Sequence, residues 1–401
     1  MPQFHISHPS EAFGILHGWT VYLLAFGAAA VIACVVLPLR VRRAALGVLS
    51  LVAVGVVFSP VTALSLLVGL VAYWGLVQTA VSLAAQLWNI RWRAYTSWGL
   101  LAALLATYYA LLPGYDFMGL AHWAGIAYGM PRALDYLAGR MEGRVTDGGL
   151  PAFLHYMLYF PGLMQGPIAR SDVFLAYPIP KVTWAGVRSS LRLLAPAYGK
   201  YLVAMLLFAG RPFDLFYATP QGHSVRLLLY VATVAPCGYL FFAAYSDVAR
   251  AMALILNQDL PENFRNPFAN RSTRSFWRDY HISLSQWLRD YVYIPMGGNR
   301  RHRFLNNAAV FAYIALWHKP TLAFLLWGMT QSAAITAENA LDSLRKRFHG
   351  GGWWRESRAA ALLTAAAGFL TFWVWQSFSW SFFYADIPSV LRLWKAILLH
   401  W

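Results

Sequence analysis

Charged residues are scarce in this sequence. They make up 12% of the 401 residues, and the acidic residues number 16 against 32 lysines and arginines. A soluble domain carries about 25% charged residues, so this chain has too little charge to cover a surface that faces water. With 59% hydrophobic residues and a mean hydropathy of +0.47, the composition predicts a single membrane domain across residues 1–401.

The formal net charge of +16 does not by itself indicate a nucleic-acid partner. The basic residues lie in short groups between apolar runs, which is typical of cytoplasmic loops in membrane proteins. These groups are Arg40, Arg42 and Arg43, then Arg91 and Arg93, then Arg345, Lys346 and Arg347. No lysine or arginine precedes the first apolar run, so the N-terminus is predicted to lie outside. The loops 91–93, 262–305 and 345–347 are then predicted to be cytoplasmic.

Several kinds of site are excluded by what is missing. The two cysteines, Cys34 and Cys237, lie within apolar runs, so neither a disulfide framework nor a metal site is predicted. The sequence also lacks the GxSxG, Walker and HExxH motifs, which excludes the corresponding hydrolase, nucleotide-binding and zinc-protease templates. The first apolar run is too long for a cleaved signal and is predicted to stay as a span.

The long apolar runs predict an all-α fold of membrane-crossing helices, each of which needs about 20 residues. The candidate spans are 17–39, 44–58, 61–88, 95–112, 193–210, 225–256, 306–327, 358–380 and 384–400. The run 44–58 ends at Ser59 and Pro60, which predicts a tight hairpin with the next run.

Two further stretches, 121–144 and 150–175, mix aromatic residues with arginine, proline and glycine. Interrupted backbone at membrane depth is tolerated where it lines a cavity. Both stretches are therefore predicted to be re-entrant or interfacial helices around an internal chamber. The sequence shows no internal repeat, which counts against an inverted-repeat transporter.

The densest polar stretch runs from Pro261 to Arg303. It contains eight arginines, which are Arg265, Arg271, Arg274, Arg278, Arg289, Arg300, Arg301 and Arg303. They could bind anionic lipid or the phosphates of a donor such as coenzyme A. Ser272 or Thr273 is predicted to cap a helix from Ser275 to Tyr291 that carries His281 on its aromatic face.

A second histidine, His318, lies inside an apolar run, 12 residues after Asn306. At about 1.5 Å per residue, it is predicted to lie about 18 Å along the helix, past the midplane of a core about 30 Å thick. An ionisable group at that depth is a functional candidate, although a hydrogen-bonded structural histidine fits the pattern as well. Pro320 predicts a kink beside it, and Lys319 is predicted to extend towards the membrane surface.

Asp247 is the single acid in the run 225–256. It could pair with Arg250, with a histidine or with another arginine, and a purely structural ion pair is equally open. A buried imidazole near a basic cytoplasmic loop suits transfer of an activated group. It can accept the proton of an attacking hydroxyl, and a thioester donor releases its thiolate readily.

The segments 159–170 (YFPGLMQGPIAR), 241–301 and 315–328 (ALWHKPTLAFLLWG) resemble the membrane-bound O-acyltransferase (MBOAT) family. The resemblance covers residues 120–335 and is greatest to the bacterial branch of alginate O-acetylation, with the D-alanine transfer protein of teichoic acid modification also close. It implies a helix bundle around a central tunnel, with His318 as the catalytic histidine and His281 as its helper. The predicted substrate- and donor-binding residues are Asp247, Asn263, Arg274, Trp277, Arg278, Arg289 and Asn306.

Three departures from the family pattern stand out. The usual Arg-Arg-Trp-His is Arg278-Asp279-Tyr280-His281 here, and Lys319 replaces the glycine after the catalytic histidine. The later Trp-Gly-x-x-His-Gly pattern reads Trp327-Gly328-Met329-Thr330-Gln331. These departures concern the acceptor pocket and the width of the tunnel.

The resemblance implies a multi-pass enzyme of the bacterial inner membrane, in contact with membrane lipids and not with nucleic acid. It is predicted to move an acyl group, with acetyl favoured, from cytoplasmic acetyl-CoA to a hydroxyl of an extracytoplasmic glycan or relay protein. Acetyl-CoA is a co-substrate, and no bound cofactor is predicted. Two alternatives stay open, which are D-alanyl or acyl transfer from a phosphopantetheine carrier protein and a non-catalytic lipid or polymer transporter.

Overall fold

The computed structural model describes residues 22, 25–111, 117–163, 166–176, 179, 182–209, 224–258, 260–348 and 358–399. Over these residues the regular secondary structure is helical, and one isolated β-bridge joins Phe264 to Tyr280. The described helices are α1 (Ala25–Val36), α2 (Leu39–Val57), α3 (Pro60–Ala84), α4 (Ile90–Leu111), α5 (Phe117–Met141), α6 (Leu150–Leu158), α7 (Ser171–Ala176), α8 (Trp184–Ala209), α9 (Ser224–Ile255), α10 (Thr273–Asp279), α11 (Ile282–Leu288), α12 (Arg303–His318), α13 (Leu322–Phe348), α14 (Arg358–Tyr384) and α15 (Ile387–Leu399).

The chain divides into two compact units. Unit 1 comprises residues 1–202 and 242–262, and unit 2 comprises residues 203–241 and 263–401. The chain passes from one unit to the other within α8, within α9 and between residues 262 and 263. The single domain predicted over 1–401 stays a prediction.

Unit 1 confirms the hairpin predicted at Ser59 and Pro60. The helix α2 ends at Val57 and α3 begins at Pro60, whose fixed φ suits the first turn of a helix. The Ser59 hydroxyl caps α3 by accepting a hydrogen bond from the Thr62 N–H at 3.0 Å. Apolar side chains of α2, α3, α5, α6 and α7 then form one buried core.

Two basic groups of unit 1 pair with acids of one loop. Arg43 lies 2.5 Å from Asp147, and Arg93 lies 2.6 Å from Glu142. The starts of α2 and α4 therefore lie at the same end of unit 1, as the charge pattern predicts. Burial acts against the Glu142 carboxylate, but hydrogen bonds from Arg93, Arg144 and Trp88 hold its pKa below the ordinary value.

The stretch 121–144 is less interrupted than predicted. Its residues up to Met141 belong to α5, which continues through Pro131 as one helix. The stretch 150–175 is broken as predicted, into α6, a 3₁₀ turn at Phe160–Gly162 and the short helix α7. The re-entrant or interfacial position of both stretches stays a prediction.

Eight of the nine predicted spans each overlap one helix, and their residues 17–21, 23, 24, 112, 210 and 400 lie outside the described residues. Among the described helices, Pro60–Leu87 and Val231–Ile255 are long and apolar enough on their own to cross a membrane.

The ninth prediction, one kinked span over 306–327, is wrong. The chain forms two helices, α12 and α13, separated at residues 319–321. The cause is Pro320, which cannot donate a backbone hydrogen bond and forces Lys319 into an extended conformation with φ of −163° and ψ of 125°. The side chain of Asn307 near the start of α12 reaches Ser332 of α13, so the two helices form an antiparallel hairpin.

The single helix predicted from Ser275 to Tyr291 is also wrong. The Ser272 hydroxyl does cap the helix that follows it, by accepting from the Ser275 N–H at 3.1 Å. That helix, α10, ends at Asp279, and α11 begins at Ile282, because Tyr280 pairs with Phe264 in the β-bridge. The apolar periodicity of the sequence continues from α10 into α11, so it gives no sign of the break between the two helices.

Candidate active site

The break between α10 and α11 is made by His281. Its backbone adopts the left-handed conformation, with φ of 46° and ψ of 52°, and its side chain is only 2% exposed. A non-glycine residue in this region costs about 1–3 kcal/mol, so neighbouring groups must hold it there. This imidazole is therefore fixed in place by the fold around it.

Asn263 holds the turn at His281. Its Oδ1 accepts the Ser283 hydroxyl at 2.6 Å and lies 3.3 Å from His281 Nδ1. Its backbone carbonyl accepts the Ile282 N–H at 2.9 Å. Because the partner of Nδ1 is an amide oxygen, we assign the proton to Nδ1, which makes Nε2 the basic nitrogen of the neutral ring.

The second histidine, His318, ends α12 at the tip of the α12–α13 hairpin, where it is half-buried. Four aromatic rings surround it, with centroids at 4.8 Å for Trp317, 5.2 Å for Phe383, 6.1 Å for Trp327 and 6.2 Å for Phe324. The rings come from α12, α13 and α14. Such an enclosure keeps water away from a reacting group and strengthens polar interactions inside it.

Trp327 contributes more than its ring to this enclosure. The side chain is 1% exposed, and its indole N–H finds no acceptor among the described residues. A buried donor without an acceptor is uncommon in folded proteins. The tip of the hairpin therefore combines an imidazole with a buried N–H that has no acceptor among the described residues.

A buried polar network fixes the aromatic rings near His318. Trp277 Nε1 donates to Gln331 Oε1 at 2.9 Å, and Gln331 Nε2 donates to Gln376 at 2.9 Å and to Ser379 at 2.8 Å. The ring of Trp277 also contacts Trp327, at 5.9 Å between centroids. Gln331, which stands where the family pattern has a histidine, thus anchors two helices of unit 2.

The two histidines belong to one region of unit 2. They lie close enough for a charge on one imidazole to act on the other. Trp277 connects the two histidine environments. Its ring contacts Tyr280, which precedes His281 in the chain, and Trp327, whose ring contacts His318. The structure thus brings together His281, His318 and Trp277, while their roles stay predictions.

All eight arginines of the segment 261–303 are exposed. Three of the predicted donor-binding residues have carboxylate partners: Arg274 pairs with Glu338 and Asp342, Arg278 with Asp279, and Arg289 with Asp290. Hydrogen bonding to Asp342 raises the pKa of the Arg274 guanidinium. By contrast, Arg300, Arg301 and Arg303 have no carboxylate within salt-bridge distance in the described parts of the chain.

Asn306 connects these arginines to the histidine helix. From α12, its side-chain amide donates to the Gly298 carbonyl at 2.9 Å and to the Arg301 carbonyl at 2.7 Å. The loop can close there because Gly297 and Gly298 adopt φ of 112° and 53°. Asn306 therefore positions the arginine loop at the other end of the helix that carries His318.

Asp247 lies in unit 1 and forms ion pairs with two cations. Its carboxylate lies 2.5 Å from Lys200 and 3.8 Å from Arg250. The Arg250 pair is one of the expected alternatives, whereas Lys200 was not anticipated. The surroundings of Asp247 match the structural alternative.

Trp327, Gln331 and Phe383 also belong to the histidine region, although the sequence pattern did not predict them there. Trp327 and Gln331 are four residues apart on α13, and that helical spacing would have placed both on one face. Phe383 comes from α14, and no local signal links it to His318.

The chain matches the model of a family described as "MBOAT, membrane-bound O-acyltransferase family" over residues 76–374, which is more than half of its length and includes both histidines.

Three relatives illustrate the match. "Probable alginate O-acetylase AlgI" of Pseudomonas aeruginosa is 39% identical over 227 residues, covering 54% of this chain and 42% of that protein. The protein of the same name from Pseudomonas putida is 28% identical over 243 residues, covering 57% and 48%. "Peptidoglycan O-acetyltransferase" of Helicobacter pylori is 29% identical over 218 residues, covering 50% and 40%. The chain spans about half the length of the curated relatives it matches.

Proposed function

Because this chain belongs to the membrane-bound O-acyltransferase family, we propose that it transfers an acyl group from a cytoplasmic thioester to a hydroxyl outside the bacterial inner membrane. The family resemblance read from the sequence is confirmed. Acetyl is the proposed group, since relatives are named as an alginate O-acetylase and a peptidoglycan O-acetyltransferase. The proposed acceptor is a glycan or a protein that relays the acyl group to one.

The observation that carries this proposal is the tip of the α12–α13 hairpin. There a half-buried imidazole, His318, lies within an aromatic enclosure beside the unpartnered N–H of Trp327. Acyl transfer to a hydroxyl needs a proton acceptor and a donor to the developing oxyanion. The enclosure supplies the His318 imidazole as the proton acceptor and the Trp327 N–H as the donor.

The reaction follows from these two groups. The neutral imidazole of His318 accepts the proton of the acceptor hydroxyl as its oxygen attacks the thioester carbonyl carbon. The carbonyl oxygen gains negative charge and accepts a hydrogen bond from the Trp327 indole. When the C–S bond breaks, the sulfur leaves as a thiolate and takes the proton from His318, so an ester and a free thiol result. His281, held by Asn263, keeps a positioning role in this scheme.

The proposed donor is acetyl-CoA, with its phosphates bound by Arg300, Arg301 and Arg303. Guanidinium groups bind phosphate oxygens bidentately, and these three are not neutralised by acids of the described residues. Arg274, Arg278 and Arg289 contribute less in this scheme, because carboxylates already pair with them.

A second candidate donor is an acylated phosphopantetheine carrier protein, and one observation favours it. Beside Arg300, Arg301 and Arg303, apolar side chains are exposed, by 45% at Ile294, 37% at Met296, 42% at Phe304 and 68% at Leu305. Exposed apolar side chains flanked by arginines match the interface that an acidic carrier would need.

Purified protein in detergent can decide between the two donors. We expect labelled acetyl-CoA to release free thiol in the presence of a hydroxyl acceptor. The double variant Arg300→Gln with Arg301→Gln should raise the KM for acetyl-CoA, while Arg274→Gln should leave it nearly unchanged. Transfer from an acetylated carrier protein, with none from acetyl-CoA, would replace the first donor by the second.

A further inference from the structure

The start of α8 carries two arginines that the proposed acyl transfer does not use. Arg188 and Arg192 are both exposed and lie one helical turn apart. Side chains four residues apart stand next to each other on a helix, with about 5–6 Å between their Cβ atoms. Neither guanidinium has an ion-pair partner among the described residues. Two positive charges therefore lie side by side on the surface of unit 1, with no described acid to balance them.

The packing of α8 against α9 determines which way these arginines face. A Cβ at Gly186 would lie 2.7 Å from the Leu254 carbonyl oxygen, and Lys200 pairs with Asp247 at 2.5 Å. Because successive residues of an α-helix are rotated by about 100°, Gly186 and Lys200 share one face of α8 and the two arginines lie on the opposite face. The arginines therefore point away from α9.

The rest of the arginine face is apolar and exposed. The exposed fraction is 69% at Trp184, 57% at Leu191, 38% at Tyr198 and 61% at Leu202. Beyond Arg192, every exposed residue of α8 as far as Leu202 is uncharged. Exposed apolar surface of this extent is unfavourable in water but suits the acyl chains of lipids. The face thus has positive charge at one end and apolar surface along the rest, which is complementary to an anionic phospholipid.

The charged end of this face lies with the basic groups of unit 1. Arg42 Nη1 donates to the Ile179 carbonyl at 2.9 Å, and Arg43 Nη2 donates to the Leu175 carbonyl at 2.8 Å. Ile179 precedes α8 by five residues, which span at most about 17 Å, so the start of α8 lies at the same end of the unit as the start of α2. This is the end that is predicted to face the cytoplasm, where anionic lipid headgroups attract arginine.

We propose that unit 1 binds an anionic phospholipid at the start of α8. The lipid phosphate lies between Arg188 and Arg192, whose guanidinium groups bind phosphate oxygens bidentately. An acyl chain follows the uncharged face towards Leu202, and the ring of Trp184 lies at the level of the headgroup, where tryptophan is enriched in membrane proteins. The headgroup has a net negative charge, as in phosphatidylglycerol, because the two arginines provide charge that no described acid balances. This site is independent of the proposed acyl transfer.

The test is the thermal unfolding of the full-length protein in detergent, followed by tryptophan fluorescence. Phosphatidylglycerol, phosphatidylcholine with the same acyl chains, or soluble glycerol 3-phosphate is added stepwise. We expect phosphatidylglycerol to raise Tm by about 2–5 °C in a saturable manner, since a ligand that binds the folded state stabilises it. Phosphatidylcholine lacks the net charge and glycerol 3-phosphate lacks the acyl chains, so each should have a much smaller effect.

Two double variants make the test specific. Arg188→Gln with Arg192→Gln should increase about tenfold the phosphatidylglycerol fraction that gives half of the rise in Tm, because charge-assisted hydrogen bonds to the phosphate are lost. The control is Arg40→Gln with Arg91→Gln, which removes the same charge. Arg40 and Arg91 are also exposed and without a described acid partner, but they lie on different helices, α2 and α4. The control should leave that lipid fraction nearly unchanged.

The proposal is overturned if phosphatidylcholine raises Tm as much as phosphatidylglycerol does, or if the two double variants respond equally to phosphatidylglycerol. An equal rise with glycerol 3-phosphate would also overturn it, because the arginines would then bind a free anion and not a lipid. Since the substituted arginines have no described ion-pair partner, Tm without added lipid should match that of the natural chain, which verifies that the variants fold.

Discussion

The two histidines of unit 2 are held in opposite ways. His281 is almost fully buried in a left-handed turn, where Asn263 hydrogen-bonds both its ring and its neighbours. His318 is half-buried at a helix end, and aromatic rings surround it.

This difference suits His281 to a positioning role and His318 to the reaction itself. A ring that the fold fixes through hydrogen bonds has little freedom to meet a substrate. A ring among aromatic side chains keeps its nitrogen available to a substrate. The nearby Trp327 N–H has no acceptor among the described residues. We therefore expect changes at the hairpin tip to act on the rate, and changes at the turn to act on stability as well.

The largest effect is expected at the tip. His318→Ala should lower acyl transfer by about 10²–10⁴-fold, because a general base contributes that much. The measurement is mass spectrometry of the surface glycan from cells that carry either protein. Protein yield and Tm should match the natural chain, and glycan acylation at the natural level in the variant would contradict the role of His318.

Trp327→Phe should lower the rate by about 10²–10³-fold, the usual cost of losing one oxyanion donor. Phenylalanine keeps an aromatic ring at this position but is smaller than tryptophan, so the control must carry the same loss of volume. Trp375→Phe is the matched control, since its indole N–H is also buried and unpartnered among the described residues but its ring contacts Phe378 and not His318. Equal rate losses in both variants would mean that the N–H of Trp327 does not stabilise the oxyanion.

At the turn, Asn263→Ala should destabilise the protein by about 1–3 kcal/mol, because the Ser283 hydroxyl and His281 Nδ1 lose their acceptor. The rate should fall less than in His318→Ala. Asn270→Ala, in the same segment and similarly buried, controls for the loss of an asparagine. If the two variants have the same rate, the orientation of His281 does not matter for transfer.

The smallest effect is expected at Arg274. Because its partners Glu338 and Asp342 are partly exposed, Arg274→Gln should cost only about 0–1 kcal/mol of stability, and added salt should reduce the difference. Thermal unfolding at low and high salt measures this. A large loss of donor affinity in this variant would return Arg274 to the donor site.

The helices of this protein could largely be predicted from its sequence, because apolar runs and the Ser59–Pro60 signal are local. The breaks at His281 and Lys319 were harder. The first depends on a bridge between Phe264 and Tyr280, which are distant in sequence. The second was anticipated as a kink at Pro320, but the packing of α13 back onto α12 converts it into a turn.

The candidate site was predictable in its histidines and not in their surroundings. His281, His318 and Trp277 carry the family resemblance and do lie in one region. The partners of Arg274 lie on α13, and the Lys200 partner of Asp247 lies on α8, so both pairings depend on tertiary packing. Composition shows how many charges a segment holds but not which of them the fold neutralises.

In the proposed reaction, His318 takes the proton of the attacking hydroxyl. The most direct test is release of free thiol from labelled acetyl-CoA by purified protein with a hydroxyl acceptor, comparing the natural chain with His318→Gln. We expect a loss of about 10²–10⁴-fold in the rate constant at saturating donor, with an unchanged Tm. Thiol release at an undiminished rate in His318→Gln would contradict it.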